Sequence, residues 1–285
     1  MKVYKNNING IIYPEYFFLI KREEMKIIVC LKQVPESLDV RIDPETKRIV
    51  REGVKSIINP YDTYAVEEGI RLKERFGGEV ISISMGPPQA EEALKEAIAM
   101  GVDDGVLLTD KKFAGSDTLA TSYTLSCGIK KIGNFDIIIC GRETLDGSTG
   151  QVGPEVAEFL NIPYVTYVSK IENISEDVME CVRLMEDHYE KVKVKLPVLI
   201  TVVKEINEPR IPSLKGLLKA KKAEIKKLTA EQIGGNEKFF GQDGSPTRVV
   251  DVWTQELKKE GKVIEGEAED LAEEIVKQLK EMGVV

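Results

Sequence analysis

A chain of 285 residues with 42% hydrophobic and 31% charged content is composed for one large soluble domain or two modest ones. Lys and Arg total 40 against 48 Asp and Glu, a formal net charge of −8, which argues against nucleic acid as a partner because phosphate binding needs a basic excess. The four cysteines, Cys30, Cys127, Cys140 and Cys181, form no CxxC and fit a reducing compartment rather than a zinc or iron–sulfur site; the lone His188 leaves no Ser–His or Cys–His pair for hydrolysis.

Residues 1–24 look foreign to the rest of the chain. Their apolar part, Ile11 to Ile20, is too short to span a membrane and contains Pro14 and Glu15. It reads as an upstream extension, with an interfacial anchor or partner-binding tail as the sharper alternative. From Met25 the chain alternates strand and helix. "KIIVCL" (26–31) is a short apolar strand. "YDTYAVEEGIRLKERF" (61–76) puts Ala65, Gly69, Leu72 and Phe76 on one helical stripe. "GGEVISISM" (77–85) is the next strand. "PPQAEEALKEAIAMG" (87–101) opens a helix on its prolines. "GVLLTD" (105–110) is a strand. "SDTLATSYTLSCGIKKI" (116–132) is a helix with Ser116 or Asp117 as its cap. "FDIIIC" (135–140) and "PYVTYVSKI" (163–171) add two strands.

Continuous apolar strands separated by amphipathic helices predict a mainly parallel sheet, covered on both faces in a doubly wound α/β fold. After residue 171 the period changes to two. "DVMECVRLM" and "YEKVKVKLPVLITVV", with a turn near Asp187, predict an antiparallel hairpin that rejoins the sheet. The lysine-rich "LKGLLKAKKAEIKKL" and a polar Gly-rich stretch (234–247) come next. A final amphipathic helix aligns Leu271, Ile275, Leu279 and Met282. The expected division is an extension (1–24), a nucleotide-binding α/β domain (25–228) and a C-terminal arm (229–285).

Four stretches lie at the carboxyl ends of successive strands, where such sheets bind ligands. The richest is "GRETLDGSTGQVGPEVAEFL" (141–160). Free amides at a helix start attract anions, and Gly150 and Gly153 let a phosphate approach the backbone. Ser148 and Thr149 add hydroxyls, and Arg142 could meet a phosphate or a flavin ring. The loop is neither Walker A nor GxGxxG, and a plain β–α turn stays open as its alternative. "INPYDTYAVEEG" offers Asn59 to a purine edge or serves helix initiation alone. "SMGPPQA" places Gly86 where a planar ligand could lie close. "FAGSDTLATSYTL" sets Thr118 and Thr121 on one helical face, or is simply a capped helix.

The motifs "VCLKQVPES", "GVKSIINPYDTYAVEEGIRLKE", "ISMGPPQAEEALKEAIAMGVDDG", "DGSTGQVGPEVAEFL" and "LPVLITVVKEINEPRIPSLKGLLKAKKAEI" resemble those of the electron transfer flavoprotein β subunit in order and spacing. The likeness runs from Met25 to the C-terminus. It implies an adenine nucleotide alpha hydrolase-like fold and a heterodimer with an FAD-bearing α subunit. By motif match, Cys30, Asn59, Tyr61, Asp62, Met85 and Gly86 would surround an adenosine. Asp146, Ser148, Thr149, Gly150, Gln151, Val152 and Gly153 would hold phosphates.

The short loop, "NPYDTYAVEEG" and "FAGSDTLAT" are more similar to the bifurcating branch, in which the site holds a second FAD. That FAD takes hydride from NADH and sends its electrons to two acceptors; Thr118 and Thr121 would meet its added half, and Arg142 is a candidate for positive charge near its ring. The alternative is the branch with structural AMP; a stand-alone adenine-nucleotide protein is a third reading. The segment 205–222 resembles a recognition loop for partner dehydrogenases. Leu214 would be its apolar anchor, with Lys215 and Lys219 steering toward acid. A flavin-dependent dehydrogenase or quinone-linked oxidoreductase, and ferredoxin or flavodoxin as low-potential acceptor, are the implied partners. The implied location is cytoplasmic, with attachment to a membrane-bound complex as an option. The chain would be an electron-carrier subunit, oxidising NADH only within its complex.

Overall fold

A computed structural model describes residues 24–36, 41–42, 49–50, 56–175, 177–250 and 263–284. The expected extension 1–24 lies outside them, apart from Glu24. The described strands of the main sheet are β1 (Met25–Cys30), β2 (Gly78–Met85), β3 (Asp104–Leu108), β4 (Ile137–Gly141), β5 (Tyr164–Ser175), β6 (Val178–Leu184), β7 (Tyr189–Lys195), β8 (Val198–Val202) and β9 (Lys226–Leu228). Their spatial order is β7-β6-β5-β8-β4-β1-β2-β3-β9. Every pair from β5 to β9 across this order is parallel. Only β5–β6 and β6–β7 are antiparallel. The fold is the expected α/β arrangement around a large, mostly parallel sheet.

The helices are α1 (Pro60–Phe76), α2 (Glu91–Met100), α3 (Thr118–Ile132), α4 (Val152–Leu160), α5 (Leu214–Lys222), α6 (Ala230–Ile233) and α7 (Ala268–Glu281). Strand alternation divides the core. Ile27 and Val29 of β1 pack with α1, α2 and Ala220 of α5 on one face. Ile28 and Cys30 pack with α3, α4 and α6 on the other. Both faces are therefore covered, and that is why the central strands read as unbroken apolar runs.

The run "YEKVKVKLPVLITVV" is two strands rather than one. β7 alternates at the sheet edge, where only one face needs to be apolar, whereas β8 is wholly buried between β4 and β5. Pro197 separates them and donates no main-chain hydrogen bond. The α-helix after β2 begins at Glu91, because Pro88–Ala90 form a 3₁₀ turn first.

The chain divides into two compact units. The larger contains the sheet and runs through Val250. Residues 229–250, expected in the arm, send Ala230, Ile233 and Phe240 into the core beside α3. The smaller unit spans 42–49 and 251–285 and contains α7. Along that helix Leu271 and Leu279 are half-buried, and Ile275 and Met282 are exposed.

From β1 the chain steps through β2 to β3, then returns to place β4 on the opposite side of β1. The strand order thus reverses between β1 and β4, leaving a crevice outside their carboxyl ends.

Candidate functional site

That crevice is a cavity of about 350 Å³. Cys30, Met85 and Cys140 form its floor at the ends of β1, β2 and β4, with Leu125 from α3 beside them. One wall is the start of α3, with Ser116, Asp117, Thr118 and Thr121. Facing it is the loop after β4, through Arg142, Thr149, Gly150 and Gln151, leading into Val152 and Gly153 of α4. Asp62 closes the third side from the first turn of α1. Five stretches separated by up to 123 residues in sequence (Cys30 to Gly153) therefore line one space.

The loop is held from behind. Asn59 is fully buried, and its amide grips the loop twice: Nδ2 donates to the Glu143 carbonyl at 2.9 Å, and Oδ1 accepts the Leu145 N–H at 3.0 Å. Its amide is thus committed to the loop rather than turned toward a purine. Lys32 pairs with Asp146 at 2.8 Å, and Arg142 donates its main-chain N–H to Val202 at 3.1 Å. Burial alone would raise the Asp146 pKa, but the Lys32 ammonium outweighs it and holds the carboxyl below its ordinary range.

Tyr61, Gly86, Asp146 and Ser148, also expected at the site, do not line the cavity. The Tyr61 ring lies under the Arg142 guanidinium, 5.1 Å from ring centroid to Cζ. Gly86 donates its N–H to Leu108 at 3.0 Å and turns the chain toward α2. Ser148 takes a φ of 50°, with its N–H on the Thr144 carbonyl at 2.8 Å.

Gly141 permits the closest approach in the site. A Cβ there would collide with the Asp62 carboxylate and the main chain of Tyr61. Asp62 is 5% exposed and accepts the Lys32 N–H at 2.8 Å. Burial raises its pKa to about 7, opposed by donors from Lys32, Asn59 and Gly141. The cavity wall therefore loses a negative charge as pH falls through neutrality. Cys30 and Cys140 are register partners on adjacent strands. The Cys30 thiol and burial together push the Cys140 thiol well above its ordinary value, which makes Cys140 a poor nucleophile.

At the helix starts, Asp117 caps α3 by accepting the Ala120 N–H at 3.1 Å. Gln151, the residue before α4, makes no side-chain cap, so the first amides of α4 have no such partner from it. Thr118 Oγ1 lies 3.2 Å from both Gln151 Oε1 and Glu155 Oε1, which joins the two helix starts. Together these groups offer an apolar floor, an amide-lined rim and hydroxyl donors. Groups of this kind could receive a phosphorylated planar molecule.

The electron transfer flavoprotein domain matches residues 46–233. The electron transfer flavoprotein subunit beta of Clostridium acetobutylicum is 50% identical over 257 residues, covering 90% of this chain and 98% of that one. This chain belongs to that family. The β subunit of Thermoanaerobacterium thermosaccharolyticum is 49% identical, with 92% of this chain and all of that one covered. The caffeyl-CoA reductase-Etf complex subunit CarD of Acetobacterium woodii is 44% identical over 92% of this chain and its own full length.

A second surface of this electron transfer flavoprotein chain surrounds α5. Ile211 is 91% exposed and Leu214 76%, with Leu217 and Leu218 also outside. Ser213 caps the helix, accepting the Gly216 N–H at 3.0 Å. Lys215 is exposed on the surface. The Lys219 ammonium donates to the Val102 carbonyl at 3.0 Å and braces α5 against the turn after α2. The preceding segment is bound to α1: Arg210 reaches Glu67 Oε2 at 2.8 Å and Glu74 Oε1 at 2.6 Å.

Sequence reading missed Lys32, Cys140 and Leu125 as cavity neighbours. Lys32 stands just past the first strand, at a carboxyl end, and that position was its available signal. Cys140 ends an apolar strand and Leu125 lies on the buried side of α3, so both look like core and are core; nothing local marks their last atoms as facing a cavity.

Among the described residues, no helix is long and apolar enough to cross a membrane.

Proposed function

We propose that this chain is the nucleotide-holding β half of an electron transfer flavoprotein heterodimer, and that its cavity takes FAD. The observation that carries the reading is the cavity itself, at the switch point between β1 and β4, with the 142–151 loop and two helix starts around it. The likeness to a subunit of a caffeyl-CoA reductase complex supports a bifurcating role. Bound there, the flavin supplies hydride acceptance from NADH and one-electron delivery to two acceptors. The chain's own residues bind and orient. The 142–151 loop and the α4 start would hold the phosphates, while Thr118 and Thr121 would hold the distal half. Arg142 brings its guanidinium to the rim, where it pairs with Glu143 at 2.6 Å, and would meet the ligand from there.

AMP is the second reading. At about 350 Å³ the cavity lies near the small end of the range for ligand pockets, roughly 300–1,000 Å³, which favours the smaller ligand. Coexpression with the α subunit and quantitation of released cofactors separates the two. Two flavins per heterodimer are expected for FAD. One flavin with one AMP would replace FAD by AMP, and no nucleotide beyond a single α-subunit flavin would overturn both. NADH-dependent reduction of ferredoxin or flavodoxin by the complex would extend the FAD result to bifurcation. The proposed setting is cytoplasmic, with a flavin-dependent dehydrogenase or quinone-linked oxidoreductase as partner.

The exposed face of α5 is the proposed dock for that partner. Its apolar residues suit an apolar recess, and Lys215, Lys221 and Lys222 suit an acidic rim. Leu214→Ala should cost about 2 kcal/mol if it is an anchor, roughly thirtyfold in the partner's KM, with flavin content unchanged. Steady-state transfer with the dehydrogenase as varied substrate checks this; an unchanged KM would remove the anchor.

A further inference from the structure

The Asp117 carboxylate serves two segments at once. Oδ1 accepts the Ala120 N–H at 3.1 Å and closes the first turn of α3. Oδ2 accepts both the main-chain N–H and the hydroxyl of Thr247, at 3.0 and 2.9 Å. The Asp117 N–H in turn donates to Ser245 Oγ at 2.9 Å. Ser245 is buried, and its hydroxyl donates to the Gly241 carbonyl at 2.7 Å. Gln242 adds a main-chain bond to Ala114 at 3.2 Å. The segment 241–247 therefore grips the turn that opens α3. That turn is cavity wall, whereas neither Ser245 nor Thr247 lines the cavity. The chain re-enters the second compact unit at Asp251, four residues past Thr247.

We propose that Ser245 and Thr247 are positioning residues for the bound nucleotide: through Asp117 they hold the start of α3, with Thr118 and Thr121, in the cavity wall. The inference rests on the nucleotide reading above. The physics is local. A cap group with two masters holds its helix end only while both are seated. Once 241–247 lifts, Asp117 loses three donor or acceptor partners and turns to water, and the first turn of α3 frays. Thr118 and Thr121 then leave the wall. Linkage makes the effect reciprocal, so an occupied cavity must hold 241–247 more firmly.

The test uses the full-length chain copurified with its α subunit. Release of bound FAD or AMP is followed by dilution into an excess of the same labelled compound. Hydrogen exchange is read on 118–124 and 241–247. Losing the two side-chain hydrogen bonds that reach Asp117 predicts roughly tenfold faster release from Ser245→Ala/Thr247→Val. Thr247→Ser keeps the hydroxyl and should release at the wild-type rate, which a packing role for the Thr247 methyl would not allow. Exchange should rise at both segments together, and fall at both when nucleotide is added. A loaded wild type whose double variant releases nucleotide at the unchanged rate overturns the latch alone. A wild-type complex with no nucleotide but the α-subunit flavin overturns the β-site reading and the latch with it.

Discussion

Gly150→Val should strip most of the nucleotide from the β chain while leaving the sheet folded. Gly150 has a φ of +63°. A Cβ there would sit 3.4 Å from the Arg142 carbonyl, an ordinary contact, so the obstacle is conformational rather than steric. A β-branched residue in the left-handed region costs on the order of 1–3 kcal/mol. The loop can escape that cost only by rotating its peptides, which redirects the Thr149 to Gln151 amides away from the cavity. The loop lies outside both core clusters, so the rearrangement should not propagate into them. The expected outcome is a roughly tenfold or greater fall in β-site affinity, about 1.4 kcal/mol per decade. Acid-released nucleotide per heterodimer measures it, with far-ultraviolet circular dichroism reporting the fold. Gly150→Asn is the control, because asparagine tolerates the left-handed region far better; it should retain much more nucleotide than the valine variant. Full retention in the valine variant would contradict the cradle.

The same glycine shows what can be read from sequence. Strand–helix alternation announced the parallel sheet because β1, β4 and β8 are buried on both faces, and continuous apolar runs result from that burial. The glycines and hydroxyls after "FDIIIC" marked a loop that does line the cavity, because glycine lets a chain turn tightly beside an open space. Asn59 was legible as important but not in its role. Its fully buried amide holds the loop from behind, a fact fixed by a partner 84 residues away. The split of "YEKVKVKLPVLITVV" was hidden because alternation and continuity meet inside one apolar run. Whether a strand lies at an edge or between two others depends on its neighbours, not on its own composition. The grip of 241–247 on α3 was equally hidden, since Ser245 and Thr247 sit in a polar, Gly-rich stretch that resembles an ordinary loop.

Arg210→Ala is expected to give the largest loss of stability. Glu67 lies on α1 with its side chain only 2% exposed. Its carboxylate accepts from Arg210 Nε at 2.8 Å, from the Arg210 main-chain N–H at 3.2 Å and from Arg71 Nε at 2.6 Å. Arg210 also forks onto Glu74 at 2.6 and 3.0 Å. Removing the guanidinium leaves a buried carboxylate with one half-exposed cation, and breaking buried pairs in this way costs about 3–5 kcal/mol. Arg71 remains, so the low end of that range, about 3 kcal/mol, is the expected loss, read as a shift in urea midpoint at about pH 7. Lysine should not restore it, because a point charge cannot serve two carboxylates as a planar fork does.

The pH dependence carries the sign. Burial opposes ionisation of Glu67, but Arg210 and Arg71 together hold its pKa below the ordinary value; Arg210 does the same for Glu74. Their stabilisation is therefore complete above the unfolded carboxylate pKa and is lost as pH falls through the lowered folded values. In the alanine variant burial dominates, so Glu67 protonates more readily and its penalty shrinks in acid. The gap between wild type and variant should thus be widest near neutrality and narrow below about pH 4.5. Glu67→Gln combined with Arg210→Ala removes the stranded charge and should recover part of the loss at neutral pH. A gap that stays constant from about pH 7 to about pH 4, or a double variant no more stable than Arg210→Ala, would show that the buried carboxylate is not what Arg210 neutralises.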